Sequence, residues 1–240
     1  MIDKSTRERL ERRYYPGLED VVFGGFEAQL DRWLTPGAVV LDAGSGPGSW
    51  VVQAYRERLG LLIGFDVYGP DTSNLDGFVM ADSLSLPFAG DSIDAVVSYL
   101  VLEHLSDPAA ALAEYARVLK PGGAFLFKTP AVRTPLFALA KVLPTRTHKR
   151  LKSGIGIDED DVFPTYYRAN TTTSLHQDLV AAGFRREWLR TVDQTYAYAT
   201  HRPWTYALGL LYSRITECTL LSWLRNQIIG VYRLEESSWR

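Results

Sequence analysis

Residues 39–50, VVLDAGSGPGSW, run from a short apolar stretch into an acid, Asp42, and then into three alternating glycines, Gly44, Gly46 and Gly48. The order reads as strand, ligand loop and helix. Residues without a Cβ let the backbone turn sharply and let a ligand approach the main chain. Ser49 is placed to cap the helix that follows. The stretch therefore points to an α/β chain with something bound where its first strand ends.

The spacing narrows what that ligand is. A dinucleotide loop has the pattern G-x-G-x-x-G, whereas this one has G-x-G-x-G with Asp42 two residues before its first glycine. Pro47 removes an amide that a pyrophosphate cradle would use, and no Gly-Lys-Ser/Thr follows, so the phosphate-loop pattern fails. The Asp42 carboxylate would also repel phosphate. It suits a ligand with amino and sulfonium groups, which is the charge pattern of S-adenosylmethionine. A glycine-rich turn with no ligand is the plainer alternative, and the residues downstream argue against it.

The run LLIGFDV ends at Asp66, about twenty residues beyond the loop, where α/β nucleotide folds place an acid on ribose hydroxyls. The next run, GFVMAD, ends at Asp82 followed by Ser83, and puts an acid on the same crevice with the adenine amino group in reach. IDAVVSYL (93–100) leads into VLEHLSDP, a helical pattern continues through AALAEYARVLK, and PGG stops it before the apolar strand AFLFKT. Strand and helix alternate throughout, which predicts a right-handed, doubly wound sheet with five parallel strands up to about Thr129.

Taken in order, VLDAGSGPG, GFD, ADSLSLPF, DAVVSYLVLEHL and RVLKPGG resemble the S-adenosylmethionine-dependent methyltransferases of Rossmann-like fold, most of all the type 11 family. The resemblance covers residues 37–130 and implies a doubly wound, seven-stranded, mostly parallel sheet. It implies S-adenosyl-L-methionine as cofactor. Asp42, Ala43, Gly44, Ser45 and Gly46 would surround its methionine moiety, Asp66 and Val67 its ribose, and Asp82 and Ser83 its adenine. Tyr99, at the end of the fourth strand, would line the reacting side. Pro47 and a long C-terminal half depart from the pattern and leave the acceptor open.

Composition fits one α/β domain. The 240 residues are 46% hydrophobic, enough for a core without disulfides or metals. With 26 basic against 28 acidic residues, the formal charge of −2 draws the chain to no nucleic acid. The charged N-terminus has no apolar stretch of a secretory signal, and the single cysteine, Cys218, has no partner for a disulfide, so a reducing cytoplasm is expected. Cys218 stands in an apolar stretch and is expected to be a buried, inert thiol.

The organisation along the chain then follows. Residues 1–36 form a helical cap, broken at Pro16-Gly17, with Phe23, Phe26, Leu30, Trp33 and Leu34 on its apolar face. Tyr14 and Tyr15 either anchor that cap or fold over the cofactor. Residues 37–130 form the cofactor-binding core. Residues 131–163 are a lid insertion, too long for an ordinary connection, basic from Arg133 to Lys152 and acidic at DEDD, 158–161. The four carboxylates diverge and no histidine motif accompanies them, so no metal is expected. The polar run from Thr171 caps a helix ending at Gly183, FRREWLRTV is the sixth strand and NQIIGVYRLE (226–235) the seventh. Residues 202–224 are an apolar insertion before that strand. Arg214 and Glu217 in its middle disfavour a membrane-spanning helix and favour an amphipathic helix pair over the active site.

In-line methyl transfer asks the protein mainly for positioning. A hydroxyl or acidic carbon as acceptor also gains from a general base. His104 in VLEHL is the candidate, with a hydrogen bond to nearby backbone as the plainer role. Tyr166 and Tyr167 are candidate acceptor contacts. The two insertions are expected to pack together above strands four and five as a largely apolar pocket with a basic rim. They favour a small lipophilic or lipid-linked acceptor, methylated on oxygen or carbon, and allow peripheral membrane contact. A polar small molecule such as a sugar and a non-catalytic cofactor-binding subunit are the alternatives.

Overall fold

The computed structural model describes residues 1–69, 74–132 and 164–236, with backbone alone at positions 19, 20 and 22–24. They fall into two compact units. One holds Phe26–Thr129, Thr165–Arg190 and Ile229–Arg240, the other Met1–Gly25, Pro130–Pro164 and Thr191–Ile228.

The sheet is built from short apolar runs, as their sequence demands. Strands β1 (Val39–Ala43), β2 (Leu61–Asp66), β3 (Gly77–Met80), β4 (Ile93–Tyr99) and β5 (Leu119–Pro130) are followed by β6 (Phe184–Val192) and β7 (Gln227–Leu234). They form one seven-stranded sheet in the order β3-β2-β1-β4-β5-β7-β6. β1 to β5 pair in parallel, with Leu41 opposite both Ile63 and Val96. β7 runs antiparallel to β5. Ala131 N donates to Asn226 O at 2.8 Å and Arg233 Nε to Gly122 O at 2.9 Å, so the end of β5 lies beside the start of β7. The expected doubly wound, mostly parallel sheet is what forms.

Aromatic packing holds it. Tyr115, on helix α3 (Pro108–Val118), is fully buried with its ring 5.3 Å from Phe125, which lies 5.3 Å from Phe127 and 6.0 Å from Phe184. Each such pair adds about 0.5–1.5 kcal/mol to the burial of its rings. Gly230 makes room for Phe127, since a Cβ there would stand 2.4 Å from that ring. Phe26, Leu30 and Leu34, of the expected cap face, are buried; the side chain of Phe23 lies outside the described residues.

Three local readings change. The segment after the glycine loop is a 3-10 helix, Val52–Arg58, with no side-chain cap. Ser49 is instead clamped through its backbone by Asn74, whose Oδ1 accepts from Ser49 N at 3.0 Å and whose Nδ2 donates to Ser49 O at 2.8 Å. Helix α3 stops at Val118, because Leu119 already pairs with Ile93, and Gly122 (φ 79°) bends β5 rather than ending a helix. Helix α4 (Thr172–Ala181) starts as expected, with Thr171 Oγ1 accepting from Ser174 N.

The second unit is built around helices. In α1 (Lys4–Tyr14), Asp3 caps the first turn; the break at Gly17 (φ 82°) precedes α2 (Leu18–Trp33). The apolar insertion 202–224 resolves into α5 (Pro203–Ile215) and a 3-10 turn, Thr219–Leu224, rather than a helix pair. α5 packs on α1: its Tyr206 and Leu210 share a buried cluster with Tyr15, Leu18 and Tyr196, against which Leu10 and Tyr14 of α1 pack. The hydroxyl of Tyr15 donates to Glu217 and that of Tyr206 to Glu11, so Tyr15 anchors the cap. Cys218 is exposed, not buried, because it opens the 3-10 turn instead of sitting within a helix. Among the described residues no helix is long and apolar enough to cross a membrane. The lid, from 133 to 163, and with it the expected shared pocket and the DEDD block, lies outside the described residues.

Candidate cofactor site

Parallel pairing lines up the strand ends. Asp42 stands opposite Gly64 and Val97, and Ala43 opposite Phe65 and Ser98, so Asp66 and Tyr99 come one residue further along the same edge. The glycine loop hangs from β2: Gly44 N and Ser45 N both donate to Phe65 O, at 2.9 and 3.1 Å. Gly44 (φ 67°) has to be glycine for space as well as angle, since a Cβ would fall 2.4 Å from Val101 Cγ2. Gly46 (φ 59°) is different. A Cβ there would meet nothing within 4 Å, so the loop presents bare backbone to open space.

Asp42 lies beneath this loop, 5% exposed. Burial pushes its carboxyl up to about 7; the negative charge of Asp66 adds to the rise and the Ser49 hydroxyl opposes it. Among the described residues no cation contributes. A buried carboxylate left this way gains most from a cationic ligand. The hydroxyl of Ser98, fully buried, has no hydrogen-bond partner among the described residues, and a buried unmet polar group costs about 1–3 kcal/mol. That of Ser45 is also buried and unmet, packed toward Gly64. Open backbone at Gly46 over an acid without a cation fits a ligand carrying amino and sulfonium groups.

The other expected contacts are distributed unevenly. Asp66 uses Oδ2 to accept from Gly46 N at 2.9 Å and Oδ1 to accept from Tyr68 N at 3.2 Å, which ties the loop to the end of β2. Val67 is 53% exposed beside it. Asp82 is exposed and folds into a turn, accepting from Leu84 N at 3.0 Å. Ser83 faces inward: its hydroxyl takes the Tyr115 hydroxyl at 3.0 Å, so only its main chain is left for a ligand.

At the ends of β4 and β5 a polar cluster forms that sequence reasoning did not single out. Lys128, 6% exposed, lies opposite Tyr99 across the strands; its Nζ donates to Tyr99 OH at 2.9 Å and stands 4.7 Å from the ring centroid. Glu103, also buried, accepts from Thr129 Oγ1 at 3.1 Å, and Thr129 in turn accepts from Asn170 Nδ2 at 2.7 Å. Burial raises the Glu103 carboxyl above its usual range, against the pull of His104, Thr129 and Lys128. The signal was a lysine inside the apolar run AFLFKT.

His104 closes the 3-10 turn Leu102–His104 and is half-buried, its backbone N donating to Val101 O at 2.9 Å. Tyr166 and Tyr167 arrive beside it, both donating their backbone N–H to Glu103 O, at 2.8 and 3.1 Å. Tyr167 (φ 51°) and Leu100 (φ 60°) hold left-handed backbone, strained for such side chains, and both flank this cluster. The structure thus brings His104, Tyr166 and Tyr167 to one place. Among the described residues no cluster of metal-ligating side chains occurs.

Residues 41–127 match a model of a methyltransferase domain of type 11. The chain is 32% identical over 147 residues to a malonyl-[acyl-carrier protein] O-methyltransferase from Yersinia pestis, covering 59% of this chain and 55% of that protein. It therefore spans little more than half the length of that relative. In fold it resembles an S-adenosylmethionine-dependent methyltransferase from Mesorhizobium loti (TM-score 0.58, 21% identity, 88% of this chain and 96% of the other). It resembles equally the [4+2]-cyclase SpnF (TM-score 0.56, 19% identity, 88% and 80%), so the fold leaves the reaction to the site. The match falls on the strands and loop that carry Asp42, Gly44, Gly46 and Asp66, and residues 41–127 form a methyltransferase domain of type 11.

Proposed function

We propose that the chain transfers the methyl group of S-adenosylmethionine to a small lipophilic or lipid-linked acceptor, on oxygen or carbon. The observation that carries the cofactor is Asp42, buried, without a cation, beneath the open backbone of Gly46. The cofactor, when bound, supplies a carbon already activated by its sulfonium. The chain's own work is then positioning. Asp42 and the open backbone at Gly46 hold the amino-acid end, Asp66 the ribose and the turn at Asp82 the adenine. Tyr99 and Lys128 border the acceptor side. His104 takes the acceptor's proton, steadied in place by the Glu103 turn, while Tyr166 and Tyr167 contact the acceptor.

Support for the acceptor class comes from the apolar insertion 202–224 and from the Yersinia relative, whose acceptor is a malonyl group on acyl carrier protein. The test is transfer from methyl-labelled S-adenosylmethionine to acyl thioesters, isoprenoid phenols and sugars, read by mass spectrometry. Label on a lipophilic acceptor, with His104→Gln lowering kcat about 100-fold at unchanged cofactor affinity, is expected. Transfer to sugars alone, or cofactor binding with no transfer at all, would reject the reading.

A further inference from the structure

Helix α5 is apolar on both sides. Its inner face, with Tyr206, Gly209, Leu210 and Ser213, is buried. Its outer face carries Trp204, Leu208, Leu211 and Ile215, spaced i, i+4, i+7 and i+11, which makes one stripe along the helix. Trp204 is 59%, Leu208 57% and Ile215 61% exposed. The following 3-10 turn extends it with Leu220, 83% exposed, and Trp223, 60% exposed. A helix face in water ordinarily carries polar residues, and a run of this kind marks a surface that something covers.

Two exposed arginines stand beside the stripe and one acid follows it. No charged residue interrupts the stripe, and the exposed Arg202 and Arg214 flank it. Glu217, the acid that follows, is turned to the hydroxyl of Tyr15. We propose that this face lies flat on an anionic lipid surface. Tryptophan prefers the boundary between water and lipid, and here one stands at each end of an aliphatic stretch. Arginine stems lie along apolar surface while their head groups reach lipid phosphates. At 13 residues α5 is far short of the roughly 20 needed to cross a bilayer, so contact is along the surface. A second copy of the chain would bury the same aromatics but bring the same arginines with no counter-charge.

The proposal is independent of the methyl-transfer reading, and its test uses no acceptor. The full chain is sedimented with vesicles of phosphatidylcholine and phosphatidylglycerol in equal parts, and with phosphatidylcholine alone. Binding to the mixed vesicles that weakens with salt and with removal of the anionic lipid is expected, together with quenching of tryptophan fluorescence by brominated lipid. Leu208→Glu with Trp223→Glu should lower vesicle affinity at least about tenfold while melting temperature and S-adenosylhomocysteine affinity stay as they were. Both side chains face water, so the variant folds. Wild-type chain left in the supernatant, equal binding by the variant, or a dimer that the same two substitutions split would each overturn the proposal.

Discussion

The two units place their polar groups in opposite ways. In the sheet unit, acids stand at strand ends along one edge: Asp42 one residue before the end of β1, Asp66 at the end of β2, Asp82 after β3, each reached by loop or turn amides or held beneath them. In the helical unit the buried Asp193 and Asn226 are held by neighbouring donors of the same unit. Asp193 accepts from Ser213 Oγ at 2.5 Å and from Thr195 N at 2.9 Å, and Asn226 Oδ1 from Gln194 N at 2.9 Å. What that unit shows to water on α5 is apolar. One region is built to receive a small charged ligand and the other to meet a surface.

The largest effects should separate the two. Phe125→Ala empties the middle of the aromatic core and should cost about 3–5 kcal/mol, taking cofactor binding down with the fold. Leu210→Ala, in the α5 core, should cost about 2–5 kcal/mol yet leave S-adenosylhomocysteine affinity within about twofold at temperatures where the chain is folded. Thermal melts and calorimetry on both variants measure this. Loss of binding in folded Leu210→Ala protein would break the comparison.

Next in size is a pH effect that belongs to the sheet unit alone. The Asp42 carboxyl rises from its usual 3.8 to about 7, so the folded chain holds a proton that the unfolded chain has released. Stability from this group is therefore full below about pH 4 and is lost as pH rises through 7, with a ceiling of about 4 kcal/mol at roughly 1.4 kcal/mol per pKa unit. Asp42→Asn should flatten that slope in denaturant titrations. Because the ionised carboxylate is the form a cation binds, S-adenosylmethionine should bind more tightly at pH 8 than at pH 6 in the wild type and equally at both in the variant.

A smaller loss is expected at Asp66. Asp66→Ala removes the carboxylate that holds Gly46 N and is offered to the ribose, and calorimetry should show about 1.5–3 kcal/mol less binding free energy. An unchanged affinity would leave Asp66 with only its role in tying the loop.

How far the sequence was legible follows the same divide. Strand ends and glycines are local signals: a short apolar run, closed by an acid in β1 and β2, reads directly, which is why β1, β2, β4 and the loop fall where expected. The helix after the loop did not form because Asn74, twenty-five residues away from Ser49, holds the backbone that a cap would have freed. The Glu103–Thr129–Asn170 chain joins three distant segments, and nothing in their spacing announces it. Lys128 was visible as a charge in an apolar strand, but its partner Tyr99 is set by cross-strand register. Cys218 followed the hydropathy of its neighbours and was misread, since the turn at 216–218 that exposes it depends on tertiary contacts of α5.

The most direct test of the account is calorimetric titration of the full chain with S-adenosylmethionine, S-adenosylhomocysteine and NAD, repeated with Gly46→Ala and Gly46→Val. One S-adenosylmethionine per chain, no measurable NAD binding, weakened affinity in Gly46→Ala and none in a folded Gly46→Val is the predicted result, because each added carbon enters the open space that the backbone at Gly46 presents. NAD bound in preference to S-adenosylmethionine, or wild-type affinity retained in both variants, would contradict it.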